Sequence, residues 1–393
     1  MLETKAKISL KQRKSYAEIL EEKGTKVDFS DMYWVQKRLD AIDVEKDYAE
    51  FVGLIINLIV FPMSHVFPYV YASNSSMGVL MHQSYDYITY RKGRGTMVTN
   101  AEKRNSDQIF FVLQFLDHRL TKEAKKICFD KVNFLHTKYP GITNYKMLIT
   151  TAFFTVGMPL VWQNALGEKE AKHFPYFGRF TRKFEQAIHL LWQEIAEGLG
   201  ISNPPNSYEE CLDLVFGKEG FLNTIDTNYS EASHSLLTHM FADSARALSK
   251  IYPFVAKDFF LHLLYATVDK RAMQRAGIKA KNQWFYNAIL KSLAHGLRFS
   301  VENLPATKWQ EPDYNFSSVV GQYYSKRGLN PLLHGTDAEK YKGFADFQNN
   351  PKSDASTYSF GFSCPHADAN KNTFTTEEFD KEEARRRRKN ELL

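Results

Sequence analysis

The sequence predicts an all-α protein, on three observations. Apolar residues recur at three- and four-residue spacing in one segment after another, the pattern of helices that bury one face. Strand signals are scarce: no alternating run of useful length occurs, and neither Asn-Gly nor Asp-Gly marks a hairpin. With 44% hydrophobic residues, 30 Phe and 21 Tyr among the 393, the chain can build a sizeable core, which excludes disorder of the whole. The aromatic share suits a wide apolar pocket as well as a large core alone.

The elements follow in order. Residues 1–50 are charged and helical in pattern, with Tyr16 to Lys23 closed by Gly24. Asp40 to Tyr48 then leads into an apolar stretch, where Phe51 to Leu80 reads as short buried helices broken at prolines. Helical spacing returns at Ile109, Phe110, Leu113 and Leu116, and again at Ile127, Val132 and Leu135. Asn144 to Val156 predicts a long apolar helix. Phe184 to Leu199 predicts an amphipathic one, with Ile188, Leu191, Trp192 and Ile195 on one face and glycines at its end. Ser202 to Ser207 is a linker, and Ser207 is placed to cap a helix starting at Tyr208. Further helices are expected over 233–250, 254–275 and 284–299. Beyond Pro305 the periodicity fades, so 306–393 reads as an extended tail ending in a basic helix, Thr375 to Leu393. The expected organisation is a helical extension over 1–50, a single large helical domain with a globin-like core over 51–305, and that tail.

Charge and cysteines narrow the function classes. Much of the net charge of +6 sits in one run, Arg385 to Arg388 followed by Lys389. The body is therefore close to neutral, and a nucleic-acid footprint across the fold is not expected. Cys128, Cys211 and Cys364 share no metal-binding spacing, and so sparse and odd a set points to a reducing, cytoplasmic compartment. The start of the chain is polar and lacks an apolar signal core. The longest apolar run, Phe51 to Val70, contains Asn57, Pro62, Ser64, His65 and Pro68 and is a poor membrane span. Peripheral membrane contact stays open, with the basic run as one route to it.

Ordinary catalytic signatures are missing. There is no Gly-x-Ser-x-Gly elbow, phosphate loop, His-Glu-x-x-His or Cys-x-x-Cys. A helical di-iron centre needs two inward-facing Glu-x-x-His repeats; Glu231 and His234 have that spacing without a partner repeat, and Glu185 and His189 are four apart.

Four blocks carry a positive signal by their order and spacing: Asp43-Val44-Glu45-Lys46-Asp47-Tyr48; Tyr90-Arg91-Lys92-Gly93-Arg94-Gly95-Thr96; Asn133-x-x-His136-x-x-Tyr139-Pro140-Gly141-Ile142-Thr143-Asn144; and Gly178-Arg179-Phe180-Thr181 with Glu185. After the last come Trp192 and Gly200-Ile201-x-x-Pro204-x-x-Ser207-Tyr208-Glu209-Glu210. Over residues 40 to about 250 this arrangement resembles the mpaB-type oxygenases, the helical haem family that includes the latex-clearing, rubber-cleaving proteins. The third block is the closest match. Two positions depart from the family pattern: Gly95 stands where the rubber-cleaving branch has a lysine, and Gly178 where the family has a tryptophan.

The resemblance implies a b-type haem whose iron is bound by His136, with Asn133 beside it in the cofactor pocket. Haem iron takes a neutral imidazole, and two propionates favour Arg or Lys partners, for which Arg91, Lys92 and Arg179 are the implied candidates. Thr96 and Arg94 are implied on the reactive side. The implied reaction is dioxygen-dependent oxidation of an apolar small molecule, with cleavage of a carbon–carbon double bond in a prenyl-like chain as the family version. The alternatives are a haem peroxygenase or hydroxylase, and a haemless helical lipid-binding or scaffold protein. Read from the residues alone, His136 also fits a packed core histidine, the basic turn a solvated loop, and Thr96 a helix cap. His239, His262 and His295 read as core or surface histidines.

Overall fold

A computed structural model describes residues 14–58, 70–71, 82, 89–102, 104–105, 108, 112, 115–136 and 144–305. Among them are fourteen α-helices and no strand: the protein is all-α. The proline-broken stretch expected after Leu58, most of the segment expected at 109–116, Tyr139 to Thr143 and the whole of 306–393 lie outside the described residues.

Three helices open the chain: α1 (Tyr16–Glu22), α2 (Trp34–Ala41) and α3 (Val44–Asn57). Ser15 begins α1 through a complete capping box with Glu18, which satisfies two otherwise orphaned backbone donors. A buried carboxylate ties the three together. Glu50 on α3 accepts from the Tyr16 hydroxyl at 2.6 Å, the Arg38 Nε at 2.7 Å and the Lys23 Nζ at 2.7 Å. Burial by itself would raise the pKa of that carboxyl; the three donors override it and hold the group at about 2. Tyr16, Leu20, Val35, Leu39 and Phe51 belong to the same apolar cluster as the rest of the fold, so α1 and α2 are part of the main core.

After a 3-10 turn at Arg91–Gly93 comes the short α4 (Thr96–Thr99), followed by α5 (Lys122–His136), α6 (Asn144–Thr155), α7 (Gly157–Leu166) and α8 (Glu168–His173). Then come α9 (Thr181–Gly198), α10 (Tyr208–Phe216) and α11 (Glu231–Ile251). The last are α12 (Lys257–Thr267), α13 (Lys270–Arg275) and α14 (Gln283–Asn303).

Helix α9 is the spine. Its apolar face, with Ala187, Ile188, Leu191, Trp192 and Ile195 buried, packs most extensively on α3 and also takes α6. Its start precedes the expected Phe184 because the Thr181 hydroxyl donates to the Gly178 carbonyl and accepts from the Phe177 amide. On the other side α7 packs on α8, α12 and α14, while α11 packs on α12. Asn164 of α7 donates to the carbonyls of Ala266 and Val268 at the end of α12, and Asn287 of α14 donates to the Asn164 carbonyl at 3.1 Å.

One expected helix is two. The stretch expected over 254–275 breaks at Val268 and Asp269, both extended, and the Asp269 carboxylate caps α13 by accepting from the Arg271 amide. The aspartate competes for backbone donors there, and that ends one helix and begins the next. No helix among the described residues is long and apolar enough to cross a membrane.

Candidate functional site

His136 is the last residue of α5. This helix is fixed against the far end of α9 by three contacts. Asn133, one turn before His136, donates its side-chain amide to the Gly198 carbonyl at 3.1 Å. The Phe129 ring packs where a side chain at position 198 would stand, so the glycine sets the distance between the helices. Lys125 meets both carboxylate oxygens of Glu194 at 3.1 Å. Buried Val132 and Phe134 anchor the same turn in the core.

The His136 ring is half-buried. Desolvation, with the nearby Arg104 guanidinium adding to it, pushes its pKa down to about 4. At neutral pH the imidazole is therefore uncharged and keeps a ring lone pair, the protonation state that metal ligation requires.

Arg104 reaches this place through its neighbour. Asn105 is buried and donates to the Met240 carbonyl at 3.1 Å and to an Asp243 carboxylate oxygen at 3.0 Å, both on α11. Its chain enters through α4, which packs on α11, and through Tyr90, whose hydroxyl donates to Glu231 at 2.9 Å. Tyr90, α4 and Asn105 thus each meet α11, and the Arg104 guanidinium donates to the Gln108 side-chain carbonyl at 3.3 Å, near enough to His136 for its charge to be felt there. Arg104 carries no motif in the sequence. Lys103-Arg104-Asn105 reads as an ordinary solvated run, and the arginine takes its position from the docking of Asn105 on α11 and from its own bond to Gln108.

The other expected site residues fall in different places. Lys92 and Arg94 are exposed on the turn before α4, with Lys92 in a left-handed conformation at φ 55°. The side chains of Arg91 and Thr96 lie outside the described residues. Asn133 is engaged with the Gly198 carbonyl, as above, in a helix–helix tie. Arg179 pairs with Asp40 at 2.7 Å, and its amide donates to Glu302 at 3.0 Å. It stands before the first residue of α9, whereas Asn133 meets the last. Eighteen residues of helix separate the two points, about 27 Å at the α-helical rise. Arg179 is therefore not brought to His136.

Both departures from the family pattern have a steric cause here. A Cβ at Gly95 would collide with the Thr89 carbonyl, and one at Gly178, where φ is +55°, with the Glu302 carboxyl. At Gly95 the obstacle is backbone; at Gly178 it is the left-handed φ, since the Glu302 side chain can move aside.

Other titratable groups offer less. Glu50 is locked in its ionised form and cannot carry protons near neutral pH. Glu185 and His189 are both buried and one turn apart on α9, but the carboxylate is held by Arg182 at 2.8 Å. His239 is exposed and bonds the Ser235 carbonyl, and exposed His295 packs edge-on against Phe174. No three His, Cys, Asp or Glu side chains converge among the described residues. A porphyrin supplies four nitrogens of its own and asks the protein for one axial donor, which the neutral His136 fits.

Compared with known proteins, the sequence matches no protein-family model and no curated protein.

Proposed function

We propose that this protein is a haem b-dependent oxygenase, with His136 as the axial ligand and an apolar, prenyl-like small molecule as substrate. The observation that carries this reading is the state of His136: a half-buried imidazole at a helix end, held neutral by desolvation and by Arg104. Bound there, the haem would supply the redox chemistry that activates dioxygen. The protein's own part is to hold and orient. The Asn133 bond to Gly198 fixes the last turn of α5 and with it the direction of the imidazole. Arg104 offers a guanidinium to an anionic propionate, a pairing strengthened by its partly buried setting. Lys92 and Arg94 carry positive charge on the turn that leads to α4. Arg179 has no role in this reading, because its partners lie at the other end of α9.

The test is an absorption spectrum of the protein purified after haem supplementation, with a pyridine haemochrome assay. The wild type is expected to show a Soret band at about one haem per chain, and His136→Ala to lose it. A flat spectrum for the wild type, or an unchanged one for the variant, would sink the reading. Labelled dioxygen then separates the reactions: double-bond cleavage puts label in both carbonyl products, and hydroxylation puts one labelled atom in a single product.

A further inference from the structure

We infer that the outward face of α14, with the aromatic corner beside its first turn, docks on a phospholipid surface carrying acidic headgroups. The inner face of α14 is accounted for: Tyr286, Leu290, Ala294, Leu297 and Val301 are buried against α7 and α12. The outer face keeps large apolar rings in water. Trp284 is 76% exposed, Phe299 59% and Phe285 42%. Trp284 and Phe299 stand fifteen residues apart, close to four full turns, and so lie on one stripe of the helix with Lys291 between them.

From the helix the ring contacts run inward and come out again at a second exposed ring. Ring contacts run from Trp284 through Phe285, Tyr286 and Phe259 to Phe260 and Tyr252, none longer than 6.0 Å between centroids. They end at Phe254, which packs on Tyr252 at 6.0 Å and is 82% exposed. Tyr286, Phe260 and Tyr252 are buried in the core, so the rings held in water are Trp284, Phe285 and Phe299 on α14 and Phe254 at the corner; several large rings exposed along one helix mark an interaction site.

Charge selects the occupant. From Lys270 to Val301 the sequence contains seven Lys or Arg and no Asp or Glu. Arg271 and Arg275 are taken by Asp269 and Asp226, and Arg298 lies 3.6 Å from Glu302. Lys270 is exposed at the start of α13, and Lys279, Lys281 and Lys291 are exposed around the aromatic stripe, against exposed Asp258 on the α12 side, which acts on Tyr286. A surface helix with Trp and Phe on its outer face and lysines at its rim matches the boundary between acyl chains and acidic headgroups. A nucleic acid would ask for a denser basic track than three separated lysines. This inference does not depend on the haem reading.

The experiment is vesicle flotation of the full chain with phosphatidylcholine alone or mixed with phosphatidylserine, read together with tryptophan emission. Binding to the acidic vesicles with a blue shift is expected. Trp284→Ser with Phe285→Ser and Phe299→Ser should lower the bound fraction about tenfold or more. Lys279→Glu with Lys281→Glu and Lys291→Glu should remove the preference for phosphatidylserine. Unchanged circular dichroism checks folding, and all six positions are exposed. A variant with Arg385 to Lys389 replaced by serine should still float. The inference is overturned if the wild type fails to float, or if only the tail variant loses binding. It is also overturned if the aromatic variant merely converts a dimer to a monomer in sedimentation, which would make a second copy the occupant. Tighter binding of a single-stranded oligonucleotide than of acidic vesicles would overturn it too.

Discussion

Arg104 and Gly95 show how much a single position depends on what the fold sets against it. The Arg104 charge is felt at His136 because Asn105, next to it, is bonded to two groups on α11 and the guanidinium itself is held by Gln108. If it pairs with a haem propionate, Arg104→Met removes a charge-assisted bond of about 1.5–3 kcal/mol. Haem affinity should then fall roughly tenfold to a hundredfold with little change in helix content, and a haem titration measures it. Equal affinity for the variant would leave Arg104 without that role. Gly95 is fixed by backbone in the same way. Gly95→Ala sets a methyl group against the Thr89 carbonyl, and overpacking of that kind costs about 1–3 kcal/mol. The denaturation midpoint should fall accordingly; a variant as stable as the wild type would mean the turn relaxes freely.

Helices are where the sequence speaks most directly, because caps and apolar spacing are local. Ser207 is legible as a cap, and its hydroxyl accepts from the Glu210 amide at 3.1 Å. Ser207→Ala should destabilise by about 1 kcal/mol, with faster amide exchange confined to the first turn of α10. Uniform exchange across the molecule would show instead that the cap is coupled to global unfolding. The long apolar pattern from Asn144 gives α6, and the amphipathic pattern from Phe184 gives most of α9. The break at Asp269 was not legible, since apolar spacing runs on through Val268 and the cap is chosen only once α12 has ended. The Ser15 capping box is written in the sequence as Ser-x-x-Glu and is seen only when α1 is assigned.

Across the whole molecule, half-buried, desolvated histidines make acid a destabilising agent. Desolvation, reinforced by the charges of Arg275 and Lys146, pushes His82 down to about 3. Desolvation also takes His118 to about 4, against a raising contribution from Asp117. His118 is wedged beside Gly53 and the Tyr16 ring, and its Nε2 has no hydrogen-bond partner. Both histidines gain protons more easily in the unfolded chain, near the ordinary value of about 6.5. Their contribution is therefore complete above about pH 6.5 and is lost as pH falls toward 4 and then 3. His136, held down at about 4, adds to them, and three protons taken up on unfolding give a slope of at most about 4.1 kcal/mol per pH unit in that window. Chemical denaturation at a series of pH values measures it, and His118→Gln should lower the slope by about a third. A flat profile between pH 6.5 and 4 would contradict the desolvation of these rings.

The sequence by itself determined the all-α class, most helix positions and the candidacy of His136, because periodicity, caps and motif order are properties of neighbours along the chain. Only the tertiary structure decided which charges stand together. It brought the charge of Arg104 within reach of His136 and left Arg179 at the other end of α9. It placed three donors on Glu50 and turned Trp284 and Phe299 outward on a helix whose apolar pattern alone does not say which side is covered. Side-chain partnership across the fold is set by helix packing over tens of residues of separation, and no local pattern in the sequence encodes that distance.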